Sequence, residues 1–278
     1  MSNAAVLRQH VRELYAEHLA AGTLPTSIRF WFYELVQKAL IAKQASGVLK
    51  PGAAGQRRVD QNLIDAVTWL RERDEIPWDV IVDETRSLSD LTGWETVAKG
   101  VDAYLNVLEL DPWAGAVPII LTESRSLAGV LRALVSEYRV MIAPTNGQAA
   151  GFLRNRVAPK MTSQTRVLYL GDWDKSGGDI EANTRRVLES IHGPLAWERL
   201  ALTSAQVELY DLPIIQKLDR RDGKLHPSVE TEALSQQVIV EIVRKRLDGL
   251  LPEPLKDVHE REEAERERLR RLLRRRAS

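Results

Sequence analysis

Cysteine is absent from the 278 residues, which excludes disulfides, thiolate zinc sites and a cysteine nucleophile and leaves the redox compartment open. Long apolar runs are absent too. None approaches the roughly 20 residues that a membrane-spanning helix needs. The first residues, Met-Ser-Asn-Ala-Ala-Val-Leu-Arg-Gln-His, lack the uninterrupted apolar core of a secretory signal. The expectation is a soluble, cytoplasmic protein with no membrane partner. Neither charge is in excess: 39 basic residues balance 39 acidic ones, so no global field argues for or against nucleic acid. The five histidines are scattered and suggest no zinc site. The length suits one large domain or two small ones, with a sizeable core.

What is present concentrates in residues 167–178, Val-Leu-Tyr-Leu-Gly-Asp-Trp-Asp-Lys-Ser-Gly-Gly. An apolar run of strand character ends in Asp172 and Asp174, one residue apart. Side chains alternate along a strand, so this spacing aims both carboxylates the same way. Like charges held that close call for a hard divalent cation, Mg²⁺ or Mn²⁺. Residues 117–123, Val-Pro-Ile-Ile-Leu-Thr-Glu, form a second such run ending in Glu123. Three carboxylates at the carboxyl ends of neighbouring parallel strands predict a metal site at the ligand-binding edge of an open α/β sheet.

The rest of the chain sorts by periodicity. Residues 4–21 have helical spacing and end at Gly22; a second helix, opened by Ser27, runs to about residue 42 and carries Phe30, Trp31, Phe32 and Tyr33. Residues 43–58 read as a basic loop with Arg57 and Arg58. A third helix fits residues 59–73, ending in Arg71 and Arg73, and residues 78–83 alternate like the first strand of a hairpin. Three helices and a hairpin make the pattern of a winged helix-turn-helix, with the third helix in the recognition position; a plain helical bundle is the alternative. Strands near 117–122, 139–143 and 166–171 alternate with helices near 125–137, 148–157 and 178–191, which indicates βαβ units. Residues 217–224 read as a basic loop, a helix starts near Ser235, and the Glu- and Arg-rich end reads as a solvated helix. The resulting organisation is α/β: a winged-helix domain over residues 1–88, a linking helix over 89–114, a mainly parallel sheet domain over 115–256 and a charged helical tail over 257–278.

Glu123, Gly147 and Asp172-x-Asp174-x-x-Gly177, each following a successive strand, resemble the Toprim domain over residues 115–215. That domain uses its acids to hold Mg²⁺. Thr26-Ser27-Ile28-Arg29-Phe30-Trp31-Phe32-Tyr33 resembles the motif of the type IIB topoisomerase A subunit and its meiotic recombination relative, which also join a winged helix to a Toprim domain. The resemblance implies Tyr33 as nucleophile, Arg29 as its helper, Glu123, Asp172 and Asp174 as metal ligands, DNA as substrate, a composite site in a homodimer, and an ATPase on a separate subunit. Phe30 stands where the family usually has an acid, and Lys175 where it often has proline. A looser resemblance is to the nuclease subunit of Wadjet-type plasmid defence, which does not rely on the tyrosine.

The chemistry these residues predict is phosphodiester cleavage, with metal-held charge stabilisation and Glu123 as an optional general acid. Lys175 is read as a phosphate contact or a partner of the acids. Arg57, Arg58, Arg71 and Arg73 are the remaining nucleic-acid contacts, and RNA stands beside DNA as a substrate. The alternatives are a tyrosine-independent Toprim nuclease that hydrolyses DNA or RNA with metal-activated water, a DNA-binding protein whose winged helix docks but whose sheet does no chemistry, a packed Tyr33, and an Asp172–Asp174 pair that merely caps the next helix. Glu230 and Glu232 are read as the start of the terminal helix.

Overall fold

The computed structural model describes residues 3–42, 60–82, 93–147, 149–219 and 222–277. Helices α1 (Asn3–Ala21), α2 (Ile28–Gln37), α3 (Gln61–Arg71) and α4 (Val97–Val107) precede the sheet. Then β1 (Ile119–Thr122), α5 (Arg125–Glu137), β2 (Met141–Pro144), α6 (Ala150–Phe152, continuing as irregular helical turns to Lys160), β3 (Arg166–Leu170), α7 (Lys175–His192) and β4 (Ala196–Ala201) alternate. After α8 (Ser204–Leu209) come β5 (Ile215–Leu218), β6 (Leu225–Ser228), α9 (Gln236–Asp248) and α10 (Leu255–Ala277).

The sheet order is β2-β1-β3-β4, and every neighbouring pair is parallel. The two central strands are the two that end in acids. Alternation explains how they are buried on both faces. Ile120, Leu168 and Leu170 pack into one core with α5 and α9. Ile119, Leu121, Val167 and Tyr169 pack into a second core with α7 and the turns after α6. The first core continues into the amino-terminal helices, through Leu14, Phe30, Trp31, Leu35, Leu63 and Leu70. Side chains start the helices: Ser27, Thr96, Ser124, Asp174, Thr203 and Ser235 each accept a backbone N–H in the first turn. Among the described residues no helix is long and apolar enough to cross a membrane.

Several expectations are corrected. Helix α2 stops at Gln37 rather than near residue 42, because Ala39 turns to φ +56° and Leu40 N–H returns to the Leu35 carbonyl. Residues 78–80 are a tight helical turn, not a strand. The Arg71 guanidinium lies 4.9 Å from the Trp78 ring centroid and donates to the Trp78 carbonyl, which holds that turn closed. Among the described residues of that stretch only Ile81 pairs, in a single parallel bridge with Thr26, and the expected return strand lies outside the described residues. The second sheet helix is short: Ala150–Phe152 passes into a wider helical turn over Leu153–Val157 and then a tight one over Ala158–Lys160. Glu230 and Glu232 do not begin the terminal helix. Residues 231–233 form an isolated turn, and α9 starts at Gln236 under a Ser235 cap. Strand β4 and the β5–β6 hairpin are additions, the hairpin standing where a loop was expected.

Because the core is continuous, Phe30→Ala is expected to cost about 3–5 kcal/mol and to leave a single cooperative transition. Denaturant unfolding followed by both fluorescence and far-UV circular dichroism checks this. Two separated transitions would show that the amino-terminal helices fold apart from the sheet.

Candidate metal centre at the carboxyl edge of the sheet

The backbone delivers Glu123 and Asp172 side by side. Glu123 extends the β1–β3 pairing by one bond, its N–H donating to the Leu170 carbonyl at 2.9 Å. Its carboxylate then accepts the Asp172 N–H at 3.0 Å. Asn146 N–H donates to the Glu123 carbonyl at 3.0 Å, and Gly147 adopts φ +88°, so the glycine turn after β2 borders the same spot. Asp172 turns towards the residues after β6, where its Oδ1 accepts Thr231 N–H at 2.9 Å and Thr231 Oγ1 at 3.1 Å. Asp174 caps α7 through Gly177 N–H at 2.6 Å and also accepts Ser228 Oγ at 3.1 Å and Lys217 Nζ at 2.7 Å. The capping alternative is therefore real for Asp174, and it coexists with proximity to Glu123. Gly177 is required by close approach: a Cβ there would sit 2.4 Å from the Asp172 carbonyl oxygen.

Two further acids reach this edge. Glu232, whose side chain is 0 % exposed, accepts Ser124 Oγ at 2.7 Å, Ser126 Oγ, and Arg29 Nε at 3.1 Å, all on Oε1. Its Oε2 is buried with no hydrogen-bond partner. Glu230 pairs with the other arm of Arg29 and accepts the Tyr33 phenol. Glu232 is also the charge that Asp172 feels most. Both glutamates carried a faint sequence signal, an acid-x-acid pair set between Val229 and Ala233-Leu234. Their meeting with Arg29, 201 residues away for Glu230, carried none.

The pair Arg29–Tyr33 thus lies against the acids of its own chain, without a second protomer. Tyr33 is only 4 % exposed. Burial and the Glu230 carboxylate push its phenol well above the ordinary value, against the opposing pull of Arg29. It holds its proton and donates it in a hydrogen bond. Arg29 stays firmly charged, because Glu232 and Glu230 outweigh the burial that opposes its charge.

The basic residues fall differently from expectation. Lys175 pairs with Asp219 at 2.9 Å and with Asp222, not with Asp172 or Asp174. Lys217 takes the place on Asp174 that was expected of Lys175. Arg71 bonds the carbonyls of Trp78 and Ile81, and Arg73 lies 3.8 Å from the Trp69 ring centroid and bonds the Trp69 carbonyl. These two guanidiniums are engaged in packing α3. Arg57 and Arg58 lie outside the described residues.

Burial, then Glu232 and Glu123, push the Asp172 carboxyl up to about 7. Burial likewise raises Glu123, with Asp174 adding to it. Asp174 is lowered: burial opposes this, but Lys217, Gly177 N–H and Ser228 together prevail. Among the described residues, the cations paired with these five carboxylates are Arg29, on Glu230 and Glu232, and Lys217, on Asp174. An all-oxygen, acid-rich edge with an orphaned, fully buried carboxylate oxygen fits a hard divalent ion. No three of these acids offer oxygens mutually within 4.8 Å among the described residues; Asp219, Asp222 and His226 do, with Lys175 between the two aspartates. Comparison with protein-family models, curated proteins and solved structures finds no match for this chain.

The raised Asp172 has a signed consequence. In metal-free protein its contribution to stability is full below the unfolded value of about 4 and is lost as pH rises through about 7. Asp172→Asn is expected to flatten that dependence, measured as melting temperature against pH. Mn²⁺ binding is expected to release a proton and weaken as pH falls below about 7, by calorimetry in buffers of different ionisation enthalpy. Affinity independent of pH would contradict the assignment.

Proposed function

We propose that this chain is a Mg²⁺-dependent enzyme that hydrolyses phosphodiester bonds in DNA, with Glu123, Asp172, Asp174 and Glu232 as the ion's ligands. The observation that carries the reading is the orphaned Glu232 Oε2, fully buried beside Asp172 at the carboxyl edge of the sheet. The order of Glu123, Gly147 and Asp172-x-Asp174-x-x-Gly177 along adjacent parallel strands supports a Toprim-like use of that edge. The helices α1–α3 are the docking unit in this reading, of winged-helix type, and they touch the site through Arg29.

When bound, Mg²⁺ would supply Lewis-acid stabilisation of the non-bridging and leaving oxygens and acidify a water. The chain does the rest. Glu123, whose carboxyl burial raises, would give up its proton on joining the ion's ligands. Arg29 and the hydroxyls of Ser124 and Ser126 fix the Glu232 carboxylate, so that its free oxygen stays directed. Lys217 stands on a half-exposed stem and, on leaving Asp174, provides an ammonium for the substrate phosphate. The Tyr33 environment favours hydrolysis over transesterification, since a proton-holding phenol is a weak nucleophile.

Supercoiled plasmid with Mg²⁺ or Mn²⁺ tests the reading, with single-stranded RNA as a second substrate. Asp172→Ala and Glu232→Gln are expected to slow cleavage about 100-fold or more, whereas Tyr33→Phe leaves it largely unchanged. A covalent protein–DNA adduct that Tyr33→Phe abolishes would replace hydrolysis with transesterification. Binding with no scission under either metal would remove the enzymatic reading.

A further inference from the structure

Helix α10 is anchored on one face, and its opposite face is exposed and packs on no other element among the described residues. Val258 and Glu262 are buried, with Glu262 accepting Leu110 N–H at 2.9 Å and pairing with Arg139 at 2.7 Å. Arg266 bonds the Leu108 carbonyl and Arg270 bonds Asn106, which ties α10 to α4 and to the residues just after it. These anchors fix the rotation of the helix. The opposite face then presents Asp257, Glu260, Ala264, Arg268 and Arg271, all exposed. Their spacing of three, four, four and three residues keeps them on one stripe.

The stripe is its own complement when reversed. Acids occupy its amino-terminal half, arginines its carboxyl-terminal half, and the small Ala264 sits at the centre. The wider sequence repeats the asymmetry: residues 257–267 hold six carboxylates, and residues 268–276 hold six arginines and no acid. Arg268 has no ion-pair partner among the described residues, and Arg271 reaches Glu267 only at 3.9 Å. A duplex phosphate backbone fits the arginine half and is repelled by the acidic half. A second, antiparallel copy satisfies both.

We propose that the protein forms a two-fold dimer in which the α10 helices of two copies pair antiparallel about Ala264. Asp257 then meets Arg271 of the partner subunit, and Glu260 meets Arg268 of the partner subunit, each pair occurring twice by symmetry. Ala264 faces its own copy, and its small side chain lets the helix axes approach. Leu272, 48 % exposed at the border of the stripe, adds apolar area. The inference rests on α10 alone and stands independently of the metal centre.

Sedimentation equilibrium of the full chain tests it, at low and high salt. The wild type is expected to dimerise, and to do so less well in high salt. Glu260→Arg and Arg268→Glu are each expected to weaken the dimer by about tenfold or more, while the double reversal Glu260→Arg/Arg268→Glu recovers most of the loss. Circular dichroism of each variant verifies that the helix persists. A wild type that stays monomeric at about 100 μM, far above the micromolar range of specific association, overturns the proposal. So does a double variant no better than the singles, or a dimer that both singles leave intact. An unchanged mass with weaker DNA binding in Arg268→Glu assigns the stripe to nucleic acid and overturns it too.

Discussion

Carboxylates gather at a buried sheet edge only if protons, basic side chains or an ion offset them, because burial opposes every uncompensated charge. Glu123, Asp172, Asp174, Glu230 and Glu232 gather here; among the described residues Arg29 pairs with Glu230 and Glu232, and Lys217 with Asp174. The shortfall shows in two places. Asp172 rises towards neutrality with a carboxyl value of about 7, and the Glu232 Oε2 is left with no hydrogen-bond donor. In the function proposed above, one divalent cation would ionise Asp172 and give the orphaned oxygen a partner.

The same imbalance ties the amino-terminal helices to the sheet. Arg29 projects from α2 into the acids, Tyr33 bonds Glu230 one helical turn later, and Gln37 reaches the Ala233 carbonyl. From the other side, Gln236 bonds the Thr23 and Pro25 carbonyls. Helix α2 and the segment before it are therefore in direct contact with the acidic edge through a few charged and amide side chains. In a reading where those helices carry nucleic acid, docking and ligand geometry are coupled through Arg29.

The central strands were legible because they are buried on both faces and written as apolar runs ending in acids, as in residues 117–123 and 166–172. The glycine of Asp172-x-Asp174-x-x-Gly177 was legible as a motif, and its close approach to the Asp172 carbonyl explains it. Strand β4 was not legible. It is an edge strand that carries Glu198 and Arg199, whose charges are absorbed by Arg246 and Glu181 from distant elements. Lys217 and Lys175 exchanged roles for a similar reason, since the β5–β6 hairpin decides which ammonium lies over Asp174. Glu232 was hidden because only folding brings α2 and the turn after β6 together. Local patterns reveal strands and caps; the charge balance of a site depends on contacts between segments far apart in sequence.

The most direct measurement is anomalous diffraction from crystals soaked in Mn²⁺. The account predicts an anomalous peak within coordination distance of the Glu232 Oε2, shared with Asp172 and Glu123, and Lys217 displaced from Asp174. A peak confined to Asp219, Asp222 and His226, with Lys217 still paired to Asp174, would contradict it.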